Sequence, residues 1–291
     1  MMSLDTEQTR GTSKANWVVR RPEAKRRPTN EQARRDLVIR VFLGLLIPVG
    51  ALVIWELSAR AGWIDPRFFS QPSAVAAKAA EDISSGLLWE ELRITLVRLL
   101  TGYVVGSVSG VVVGLALSQS RTIRWMLEPL LRGLYVIPKL ALLPVFLLIF
   151  GLGELPKLVF IGLGTFYIVA FTTLSAAMMI PTAYHEVARS YGLSRPQQFR
   201  WMIIPACMPQ IVSSLKLASG ISMLLVIGVE FVNAQEGLGY YTWHSWQMFI
   251  PDRMYVGIVT ISIVGVLFSA LIGFTGGRMV RWADGEYGQQ R

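Results

Sequence analysis

At 291 residues, with 53% apolar and only 16% charged side chains, the chain is too poor in charge for a soluble domain, in which charged residues make up about 25%. A formal charge of +9 fits nucleic acid, anionic lipid or membrane topology, and only its position along the chain separates them. One cysteine, Cys207, and two histidines, His185 and His244, exclude an intrachain disulfide and weigh against zinc or Cys/His nucleophile chemistry.

Residues 1–36 are polar and basic and read as a cytoplasmic, disordered tail, leaving 37–291 as the membrane domain. Ten Lys/Arg against five acids fall within residues 1–40, just before the first apolar run, where a cytoplasmic flank keeps its positive charge. That run is Val41 to Trp55. Ala59-Arg60-Ala61 imitates a cleavage site, but the basic region is longer than a signal peptide's and further spans follow. Residues 60–92 are mixed and read as an external segment.

Between Arg98 and Arg121 lie 22 uncharged residues, enough to cross a bilayer. Gly102, Gly106, Gly110 and Gly114 recur there every four residues, lining one face for close helix approach within a subunit or between subunits. Then come Leu130–Gly153, interrupted by Arg132 and Lys139, and Leu158–Tyr184. Ile211–Asn233 carries Lys216 and Glu230, and Met254–Gly277 is the last run. The prediction is an all-α polytopic membrane protein with six transmembrane helices. Basic segments at 121–132, 189–200 and 278–291 alternate with acidic or balanced ones, which places both termini in the cytoplasm.

Ionisable groups at membrane depth are costly and face the bundle interior. Lys139 and Glu230 are candidates for the solute path; Glu230 equally suits a contact between helices. Lys216, near a helix end, can snorkel to the interface. Tyr240, Trp243 and Trp246 read as an interfacial belt, and the methionines as packing.

The longest polar interruption between late spans is 181–209. A helix fits Ala183–Tyr191, and Gly192 suits its left-handed stop. Ser194 can cap a second short helix with Pro196 in its first turn. Pro205 and Pro209 are expected to break the chain before the next span. The outcome is a surface helix-turn-helix able to dock into another protein.

This segment resembles the EAA loop of ABC importer permeases: Glu186, Val187 and Ala188, then Gly192 after three residues, then Met202, Ile204 and Pro205 in the final pattern. The resemblance covers residues 90 to 282 and is nearest to nitrate, sulfonate and taurine permeases. Arg98 ahead of Gly102, the prolines Pro138 and Pro144, Phe150-Gly151-Leu152-Gly153-Glu154, Glu230 and Gly237-Leu238-Gly239 carry it. It implies a type I importer fold with cytoplasmic coupling helices, acting as a homodimer. Two ATPase subunits would bind the ATP and Mg, an external substrate-binding protein would deliver a small anion, and this chain would perform no catalysis. The absence of a G-x-x-x-x-G-K-[ST] phosphate loop agrees. The same family includes permeases for pyrimidine vitamin precursors and aromatic acids. An ion-coupled secondary transporter would need its own coupling site and usually internal repeats with broken helices in both halves, and a membrane enzyme a clustered polar site; neither pattern is present.

Overall fold

The computed structural model describes residues 30–280 and Trp282, and among these every regular element is helical. In order they are α1 (Asn30–Arg60), α2 (Pro66–Phe69), α3 (Pro72–Ser84), α4 (Leu87–Gln119), α5 (Arg121–Val136), a 3-10 turn (Lys139–Leu142), α6 (Leu143–Phe150), α7 (Glu154–Met178), α8 (Thr182–Ser190), α9 (Arg195–Gln198), a π segment (Phe199–Ile203), α10 (Ile204–Asn233), α11 (Leu238–Gln247) and α12 (Pro251–Met279). Residues 1–29 of the expected tail lie outside the described residues, and α1 already begins within the stretch 1–36 read as tail. The chain divides into two units, Met1–Val53 and Ile54–Arg291. In the first, α1 is apolar on all sides from Phe42 onward.

Among the described residues five helices are long and apolar enough to span a membrane: Phe42–Arg60, Leu87–Gln119, Glu154–Met178, Arg195–Asn233 and Pro251–Met279. The expected third span, Leu130–Gly153, is not one helix. Ile137 is forced out of the helical region (φ −64°, ψ 129°) by the proline that follows. A single 3-10 turn comes next, and Pro144 stands in the first turn of the eight-residue α6. At 1.5 Å per residue α6 measures about 12 Å, well short of a bilayer core of about 30 Å. Gly151, at φ 79°, ends it.

In the second unit α4, α7, α10 and α12 form the core around Leu99, Ile161, Val169, Leu225, Val226 and Val229. The closest pair is α4 with α7. A Cβ on Gly102 would stand 2.6 Å from Ile161 Cγ2, one on Gly110 2.9 Å from Val169 Cβ, and one on Gly114 2.7 Å from the Ala170 carbonyl oxygen. The glycine face is therefore filled by α7 of the same chain, backbone against backbone.

The amphipathic α3 is pinned by a buried ion cluster. Tyr241 Oη of α11 donates to Asp82 at 2.6 Å, Arg253 of α12 donates at 3.2 Å, and Lys78 stands 3.5 Å away. Ser70 Oγ also donates to Asp252. Burial pushes the Asp82 carboxyl up, but the bonds from Tyr241 and Arg253 outweigh it and hold the group below its ordinary value. Tyr241 moves the other way, raised by burial and by Asp82. A depressed carboxylate stabilises the fold above its unfolded pKa, about 3.9, and this contribution is lost as pH falls through the lower folded value. Asp82→Asn is thus expected to melt lower than wild type at pH 6, and the gap should narrow below about pH 4; thermal melts in detergent across this range measure it.

Candidate functional site

The segment 181–209 folds as a helix-turn-helix. α8 closes with Gly192 at φ 68°. Leu193 N–H donates back to the Ala188 carbonyl at 3.1 Å and Gly192 N–H to Arg189 at 2.9 Å, which is a Schellman closure with glycine in its left-handed position. No atom lies near the missing Cβ of Gly192, so backbone conformation, not space, demands glycine there. Ser194 then caps α9: its N–H and its hydroxyl both donate to Gln197 Oε1 at 2.8 Å, and Pro196 stands in the first turn.

The expected break at Pro205 and Pro209 does not occur. The chain passes from α9 through the π segment directly into α10, with Pro205 in the first turn of α10 and Pro209 inside it. A proline ring collides with the carbonyl four residues back and brings no N–H. The widened π turn just before Pro205 relieves both problems without ending the helix.

The hairpin leaves an apolar groove of about 350 Å³ lined by Tyr184, Val187, Ala188, Tyr191, Leu193 and Met202. Val187 is 56% exposed and Tyr191 81%, whereas Ala188 is buried beneath them. Glu186 is exposed beside the groove. On the opposite side Ile203 and Ile204 pack on a cluster of Leu115 from α4, Ala176 from α7, and Cys207 and Ile211 from α10. Groove and spanning helices are thus joined by one packed layer.

A second constellation lies at the opposite ends of α4 and α10. Arg98 of α4 is 3% exposed and Glu230 of α10 fully buried. Arg98 Nη1 donates to Glu230 at 2.9 Å and to the Glu236 carbonyl at 2.7 Å, while Nε and Nη2 donate to Glu154 of α7 at 2.7 Å each. Lys157 adds a bond to Glu154 at 2.7 Å. Thr95 Oγ1 contacts both oxygens of Glu230, at 2.9 and 3.0 Å, and accepts from Leu238 N–H at 2.7 Å. Gly239 N–H donates to Glu230 at 2.8 Å, and Gly237 N–H to Glu91.

Glu230 thus joins α10 to α4 and to the start of α11. Residue reading named Arg98 and Glu230 separately and missed their pairing. The signal available was an arginine and a glutamate in two apolar runs, each costly alone. Lys139 sits on the 3-10 turn, half-buried, with its Cδ 3.5 Å from the place a Cβ would take on Gly164 of α7. Its neighbour Leu140 reaches a separate open groove between α10 and α12, with Gly220, Gly228 and Gly265 on its walls. Lys216 runs along Gly273 of α12.

Residues 102–286 match the family described as the binding-protein-dependent transport system inner membrane component. The chain belongs to this family. The permease is 28% identical over 241 residues to SsuC of Bacillus subtilis (strain 168), which bears the name of an aliphatic sulfonates transport permease protein; the match covers 83% of this chain and 87% of that one. It is 30% identical over 221 residues to the protein of the same name from Escherichia coli (strain K12), covering 76% and 84%. Among solved structures, a chain of the MetNI methionine ABC transporter in an inward-facing conformation superposes with a TM-score of 0.53 at 23% identity, over 64% of this permease and 91% of that chain. The shared fold is that of an ABC transporter permease. The chain is accordingly an integral membrane transport subunit of an ABC importer.

Proposed function

We propose that this permease moves a small organic sulfonate inward, driven by an ATPase subunit docked on the α8–α9 hairpin. The observation that carries the reading is the apolar groove at Tyr184, Val187, Tyr191 and Met202, exposed at the end of helices that continue into the span. Apolar side chains at a polar, basic surface are suited to burial by a partner. Glu186 would flank the contact, Gly192 would set the turn, and Ile204 and Pro205 would pass movement into α10. Two ATPases would hold ATP and Mg, and two copies of the permease would form the path. The basic ends would face the cytoplasm, and a substrate-binding protein would load solute from outside. Sulfonate as substrate class follows the names of the two relatives, and Lys139 would supply positive charge along the path.

Val187→Glu tests this. The side chain is exposed in the isolated permease, so the fold should survive, while a carboxylate placed in an apolar contact should reduce docking by at least about 100-fold. Co-purification with the co-expressed ATPase reads the effect. Retention of the ATPase by the variant would remove the hairpin as the docking element. The wild-type complex, reconstituted with its binding protein, should accumulate an alkanesulfonate and leave bicarbonate outside.

A further inference from the structure

The two polar clusters meet on one short helix. The N–H groups of Gly237, Leu238 and Gly239, which open α11, go to Glu91, Thr95 and Glu230. One turn later Tyr241 is held by Asp82. A Cβ on Gly239 would stand 2.6 Å from Glu230 Cβ, and one on Gly237 2.8 Å from Arg98 Nη1. The two glycines are what let the helix start press onto the ion pair. Arg98 also grips the Glu236 carbonyl in the link before α11. The open face of α11 carries Trp243, His244 and Trp246, with Trp243 stacked on Phe231 of α10 at 5.4 Å and tilted against Trp246 at 4.8 Å.

A ten-residue helix on a four-residue link would ordinarily open locally far more easily than the core. Here its free N–H groups, the usual weak point of a helix start, are taken by carboxylates and a hydroxyl borne on two spanning helices. Arg98 bonds the third spanning helix, α7, into the same set through Glu154.

We propose that the Arg98–Glu230 clasp is a positioning device that makes α11 one body with the ends of α4, α7 and α10. When the spans repack, α11 travels with them and does not swing on residues 234–237, so its aromatic face keeps a fixed place at the outer mouth. The repacking itself rests on the importer reading; the attachment does not.

Ser245 is buried on the clasped side of α11, with its hydroxyl bonded to the Tyr241 carbonyl at 2.6 Å. In a Cys207→Ala background, Ser245→Cys serves as a thiol reporter, and Ser107→Cys, buried on α4, reports on the bundle. Both are labelled with a maleimide in freeze-thawed membranes, open on both faces and free of ATPase and solute. Arg98→Met/Glu230→Met removes both charges together. It is expected to speed labelling at position 245 by at least about tenfold and to leave position 107 unchanged, as for a local opening. Unchanged labelling at 245 would overturn the proposal. A parallel rise at both positions would also overturn it, by showing that the clasp holds the whole bundle. If the double variant does not reach the membrane, Thr95→Val removes the bonds to Glu230 and Leu238 without touching a charge, and Thr95→Ser should restore slow labelling. Because neither ATPase nor solute is present, failure here is distinct from failure of the importer reading.

Discussion

Arg98→Met is expected to leave little folded permease in the membrane, whereas Arg98→Met/Glu230→Met should recover most of it. In the single variant Glu230 stays fully buried, keeps its bonds from Thr95 and Gly239, and loses its only cationic partner among the described residues. Removing one member of a buried pair costs about 3–5 kcal/mol, while replacing both with apolar groups is often neutral. That range is a large share of the total stability of an ordinary domain, about 5–15 kcal/mol. Glu154 tolerates the loss better, because it is half exposed and keeps Lys157. The amount of protein that elutes as a single species after detergent extraction measures both variants. Equal recovery of the single and double variants would mean that Glu230 is neutral without Arg98.

The second large effect is expected at Gly106. Glycine to alanine inside a helix ordinarily stabilises it by about 1 kcal/mol. Gly133, on α5, has no atom near its missing Cβ, and Gly133→Ala should be neutral or slightly stabilising. Gly106→Ala should have the opposite sign. The new methyl group would meet the Gly162 carbonyl oxygen and stand 2.8 Å from Thr165 Cβ, and a backbone oxygen cannot rotate away. α4 and α7 would have to separate, loosening contacts at Gly102, Gly110 and Gly114 as well. Overpacking of this kind costs about 1–3 kcal/mol, and without a hydrophobic drive between helices in lipid little else holds the pair. Melting of the two variants side by side in detergent decides it, with the order Gly133→Ala, wild type, Gly106→Ala from most to least stable.

Much of the hairpin was legible because its signals are local. Gly192 stops a helix by backbone conformation, and Ser194 with Gln197 caps the next one within four residues; both are properties of neighbouring atoms. Pro205 was misread for the same reason. A proline normally breaks a helix through its own ring and missing N–H, and only the widened turn before it shows how the helix continues. The span at Leu130–Gly153 was overcounted because composition registers apolar length, whereas Ile137 ahead of Pro138 interrupts the backbone.

By itself the sequence determined the class of solvent around the helices, the order of the apolar runs and the turn and cap of the 181–209 hairpin. Each depends on hydropathy, charge position or contacts within a few residues. Tertiary structure alone decided that the four glycines of α4 are filled by α7 of the same chain. It also decided that Arg98 and Glu230, 132 residues apart, neutralise one another and hold α11. Burial of a charge is tolerable only beside its partner, and which partner arrives depends on how distant helices pack.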